Sequence, residues 1–76
     1  MRKSSIDKRL RILLADLGYT QKEFSKVTGI TESSICRYLD GTRVPNVETV
    51  VRITDLTNVD PSWLLGYGDD DKMERM

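Results

Sequence analysis

Seventy-six residues with one cysteine, no histidine and twelve acidic against twelve basic side chains describe one small domain without an internal disulfide. The missing histidine, together with the lack of any metal-ligand cluster, glycine-rich phosphate loop or nucleophile–base pair, argues against an enzyme and calls for no metal or cofactor. No apolar run approaches the roughly 20 residues that span a bilayer, and the basic start lacks the apolar stretch of a signal peptide, so a cytoplasmic domain is expected.

The elements are helices joined by short loops. Ile6, Leu10, Leu13, Leu14 and Leu17 fall at i, i+4, i+7, i+8 and i+11, one stripe of an amphipathic helix over 5–17, capped by Ser4 or Ser5 and ended by Gly18. In "TQKE", Thr20 and Glu23 form a capping box that opens a second helix, 21–28, with Phe24 and Val27 inward and Gly29 as its stop. Thr31 caps a third helix over 32–39, closed by Asp40 and Gly41. Asn46 caps a fourth, 47–57. Its Val47, Val50, Val51, Ile53 and Leu56 spread over much of the girth, which predicts a buried central element.

Asp60 and Pro61 start a fifth helix, 61–65, that Gly66 ends. Residues 1–66 form the domain, and "YGDDDKMERM", 67–76, reads as an acidic, flexible tail. That tail hides an asymmetry. Residues 1–59 carry ten Lys and Arg against seven acids, whereas 60–76 carry two against five, so a mildly basic body is offset by an acidic end.

The spacing within 21–39 is more specific than the helix count. Two helices that cross steeply through a short turn need a small residue where their backbones approach, a glycine able to take positive φ, and apolar residues at paired inward positions. Ser25, Gly29 and Ile35 with Tyr38 supply these in order. With "YTQKEFSKVTGITESSICRYLDGTRVPNVETVVRI" and the closing "DPSWLLG", residues 6–66 resemble the lambda-repressor/Cro-like (XRE) helix-turn-helix family. The resemblance implies an all-α, five-helix fold with the helix-turn-helix made by the second and third helices. Two positions depart from the family pattern: Ser25 stands where alanine is usual, and Tyr38 where an aliphatic is usual. Serine is still small enough for the crossing. Tyr38 brings a larger ring and a hydroxyl to be placed.

In such a motif the third helix lies in the major groove with its N-terminal part against base edges. Its inward side is Ile35, Tyr38 and Leu39, so the opposite side, centred near Ser33 and Arg37, faces the groove. The short hydroxyl and thiol side chains there are unusual for a merely solvated helix face and allow close approach. Arg37 suits a guanine, Ser33 donates or accepts, Cys36 meets a thymine methyl and Glu32 accepts from a cytosine amino group. The resemblance places base reading at the same four positions, Glu32, Ser33, Cys36 and Arg37. Backbone contacts are expected from Thr20, Gln21 and Lys22 at the start of the second helix, from Thr31 and Ser34, and from Thr42 and Arg43 after the third, with Arg2 and Lys3 as a loose basic arm.

The expected partner is a palindromic double-stranded DNA operator bound by a homodimer, since a modest basic excess gives each subunit few phosphate contacts. Trp63, Leu64 and neighbouring residues of the fourth and fifth helices are taken as part of the dimer interface, because so small a core leaves little room for the indole and its leucines. The length fits a Cro-like, restriction-controller-like or stand-alone prophage regulator, acting as a repressor of the phage or bacterial type. The alternative is an antitoxin or protein-interaction subunit of the same fold, whose acidic tail engages a partner.

Overall fold

In the computed structural model, which describes residues 5–67, five helices follow one another: α1 (Ile6–Leu17), α2 (Gln21–Thr28), α3 (Glu32–Asp40), α4 (Val47–Thr57) and α5 (Pro61–Leu64). The Arg2–Lys3 arm, the Ser4 cap and residues 68–76 of the acidic tail lie outside the described residues. Tyr67, the first residue of that tail, is tied back: its N–H donates to the Ser62 carbonyl, and its own carbonyl accepts from Arg9.

The stripe on α1 packs as its spacing requires. Ile6, Leu10, Leu13 and Leu14 are buried and Leu17 partly so, against α3 on one side and α5 on another. Helix α2 bridges α3 and α4, and α4 in turn carries α5. Phe24, Ile35, Ile53, Val59, Trp63 and Leu64 close the core between these elements.

Three expectations need correction. Val27 is exposed, and the inward position near the end of α2 belongs to Thr28. A threonine can be buried on a helix because its hydroxyl reaches the carbonyl one turn back while its methyl packs. Thr28 Oγ1 does so, donating to the Phe24 carbonyl at 2.7 Å. The same rule reorients α4. Its inward residues are Val50, Ile53, Thr54 and Thr57, with Thr54 donating to the Val50 carbonyl and Thr57 to that of Ile53. The remaining apolar residues therefore point outward: Val47 is 80% exposed, Leu56 52% and Val51 46%. This helix is not a buried central element.

The third correction concerns Trp63 and Leu64, which lie inside the monomer core at 2% and 0% exposure and present no surface to a second copy. The indole packs against Arg9, itself fully buried on α1. Its guanidinium sits 5.0 Å from the Trp63 ring centroid, a cation–π distance, and donates to the Trp63 and Tyr67 carbonyls at 3.0 and 3.2 Å. Both bonds come from one terminal nitrogen, Nη1, and end on backbone carbonyls at and just beyond the end of α5. Among the described residues no helix is long and apolar enough to cross a membrane.

Candidate nucleic-acid interface

The interface begins at the start of α2. Thr20 and Glu23 form the full capping box: the Thr20 N–H donates to Glu23 Oε1 at 3.0 Å, and the Glu23 N–H donates to Thr20 Oγ1 at 3.1 Å. The Glu23 carboxyl is held below its ordinary value, first by the Thr20 N–H and then by the Thr20 hydroxyl. Gln21 and Lys22 stand exposed beside this cap, at the positive end of the helix dipole.

The turn between α2 and α3 is built around Ile30. Gly29 takes the left-handed conformation (φ 76°), which a β-branched residue resists. Both backbone groups of Ile30 are then taken by α2 hydroxyls: Ser25 Oγ donates to its carbonyl at 2.5 Å, and its N–H donates to Thr28 Oγ1 at 3.2 Å. Serine at the crossing is small enough for the helices to approach, and it also latches the turn. The sequence shows Ser25 as the small residue at the crossing but not its hydrogen bond, and it gives no sign of the part taken by Thr28.

Thr31 caps α3, accepting from the Ser34 N–H at 3.2 Å and donating to Ser34 Oγ at 3.0 Å. Arg43, from the loop after α3, folds back to donate to the same Ser34 hydroxyl at 3.4 Å and lies over the Tyr38 ring at 5.8 Å. Ser34 is consequently half-buried within a Thr31–Ser34–Arg43 network, unlike its neighbours. Tyr38 packs inside with Ile35 and Leu39. The Thr42 hydroxyl is engaged too, donating to the Arg37 carbonyl at 3.3 Å.

What remains open on α3 is the opposite side. Glu32, Ser33, Cys36 and Arg37 are all exposed, at i, i+1, i+4 and i+5, and so share one face. Cys36 Sγ lies 3.6 Å from Asp40 Oδ2, one turn along the same face. The Arg37 guanidinium makes no hydrogen bond or ion pair among the described residues, which leaves its five donors available to a partner. The structure thus leaves Glu32, Ser33, Cys36 and Arg37 exposed on one face of α3 and Gln21 and Lys22 exposed at the start of α2. It leaves Trp63 and Leu64 away from any surface. Among the described residues no three His, Cys, Asp or Glu side chains gather to hold a metal.

Two packed helices joined by a latched glycine turn, the second carrying short polar side chains and an arginine outward, are the elements of a helix-turn-helix motif. A helix-turn-helix family model matches residues 10–64, and the chain belongs to this family, in its lambda-repressor/Cro-like (XRE) form. Over 62 residues, 82% of this chain, it is 34% identical to the HTH-type transcriptional regulator ImmR of Bacillus subtilis (strain 168). The match covers 49% of that protein, so the chain spans about half the length of its relative.

Proposed function

We propose that this chain reads double-stranded DNA in a sequence-specific manner through α3 and represses transcription by occupying an operator. The observation that carries the proposal is the exposed Glu32–Ser33–Cys36–Arg37 face, which is free of core duties and small enough, apart from Arg37, to approach base edges. Arg37 donates in bidentate fashion to a guanine. Ser33 and Glu32 read neighbouring pairs, and Cys36 contacts a thymine methyl. Thr20, Gln21 and Lys22 bind one phosphate run, and Thr31, Ser34, Thr42 and Arg43 bind another, with Ser34 and Arg43 already oriented by their shared hydrogen bond.

Few cations face the DNA on one subunit, so affinity comes from two subunits on a palindrome. Because Trp63 and Leu64 are internal, a second copy is held instead by the outward residues of α4, Val47 and Val51, beside the half-buried Leu65. Selection of bound sites from random duplex DNA, with sedimentation of the same protein, tests the reading. The expected result is a dimer and an enriched palindrome whose half-sites lie about one helical turn apart. No enrichment even at low salt would overturn it. The apolar α4 face would then favour the alternative, a protein-interaction subunit or antitoxin of this fold.

A further inference from the structure

A recognition helix can discriminate between bases only if its axis is held to a fraction of an ångström, because bidentate donors lose their second bond on small tilts. The start of α3 is fixed by the latched turn at Ile30 and the Thr31 cap. Its other end poses the usual problem of a helix terminus, four carbonyls with no partner in the helix. Here they are met unequally. The Arg37 carbonyl accepts from the Thr42 and Arg43 N–H groups at 3.1 and 3.3 Å, and the Tyr38 carbonyl accepts from Gly41 at 3.3 Å. Those bonds are local, made by the chain as it leaves the helix. The Leu39 carbonyl is met from a different element: Arg11 of α1 donates to it twice, from Nε at 3.0 Å and from its terminal nitrogen at 2.7 Å.

Asp7, one turn before Arg11 on α1, adds a second point of contact. A Cβ placed on Gly41 would meet Asp7 Oδ2 at 3.4 Å, so the carboxylate rests against the residue that ends α3. The Asp7 carboxyl is held below its ordinary value, first by the Ser5 hydroxyl, with the N–H groups of Asp7 and Lys8 and the charge of Arg11 assisting. Arg11 is otherwise solvent-facing and lies off the buried stripe of α1, so neither core packing nor the helix pattern accounts for a guanidinium turned onto a carbonyl of α3. Its positive charge also lies at the negative end of the α3 dipole.

We propose that Arg11 is a positioning residue for DNA reading: by anchoring the Leu39 carbonyl it holds the axis of α3, and so the direction in which Arg37 and Ser33 project. The inference rests on the reading that α3 reads bases. Arg11→Met removes both donors while keeping the stem, and Arg11→Lys keeps the charge and one donor nitrogen but not the two-nitrogen fork, securing a folded variant. Two measurements on the full chain separate the possibilities. Amide hydrogen exchange at Gly41 and Thr42, whose N–H groups close the last turn of α3, is expected to quicken by about tenfold in Arg11→Met and less in Arg11→Lys. On the site selected by the wild-type protein, the ratio of specific to non-specific affinity is expected to fall by about tenfold in Arg11→Met, with the slope against salt unchanged.

Unchanged exchange in both variants overturns the anchor itself. Faster exchange with an unchanged specificity ratio overturns the positioning role and leaves a purely structural bond. An equal loss on all DNA sequences with a shallower salt slope overturns it too, by showing that Arg11 binds phosphate. If the wild-type protein selects no site, the base-reading proposal falls on its own, while the exchange data still decide whether Arg11 holds α3.

Discussion

Helices α3 and α4 are close in length, each is capped by a side chain at its start, and each ends in a left-handed residue, yet their outward faces are opposites. On α3 the apolar residues Ile35, Tyr38 and Leu39 are all inside, and short polar groups with one arginine are outside. On α4 two threonines are inside, and Val47, Val51 and Leu56 are outside with Glu48, Arg52 and Asp55 among them. The difference teaches that a helix can be amphipathic by bonding as well as by hydropathy. Thr54 and Thr57 satisfy their hydroxyls within α4 and so cost little to bury, which releases valines to the surface. A face of small polar groups suits a polar groove, and a face of exposed valines suits another protein surface.

Substitutions on the two helices sharpen that contrast. Ile35→Ala, at the fully buried centre of α3, is expected to cost about 3 kcal/mol in urea unfolding; a loss below about 1 kcal/mol would mean that α3 does not pack as described. Gly29→Val acts on the turn that leads into α3. Among the described residues only an Arg52 nitrogen lies near the added Cβ, at 3.9 Å, so the cost is the left-handed backbone and not a clash, about 2 kcal/mol by the same assay. Val51→Lys, on the outward face of α4, is expected to leave stability within about 0.5 kcal/mol of the wild type. It should instead sediment as a monomer and bind the selected site more weakly. A folded, unchanged dimer would remove α4 from the interface.

The same contrast explains what could be read in advance. The inward and outward sides of α3 are legible in the sequence because Ile35, Tyr38 and Leu39 lie within one arc, leaving a single way to turn it. The apolar residues of α4 occupy more than one side, and nothing in their spacing says that Thr54 and Thr57 would take the inside. Arg9 left a trace, three residues after Ile6 and four before Leu13 on the buried stripe of α1, a place where a cation signals a specific acceptor. The size of Trp63 points to a surface for a second copy, whereas the indole is internal and packed on Arg9. Arg11 left no trace. Its acceptor is a backbone carbonyl 28 positions away, and backbone acceptors carry no sequence signal.

Whether the uncommitted guanidinium of Arg37 reads a base is decided by comparing wild-type protein with Arg37→Ala on the selected site and on each of its single-base-pair variants. The expected result is a loss of about 1–3 kcal/mol on the selected site, with discrimination abolished at one base pair, kept at the others, and thermal stability unchanged. A uniform weakening on every sequence, with a shallower dependence on salt, would show that Arg37 touches phosphate and would contradict the account.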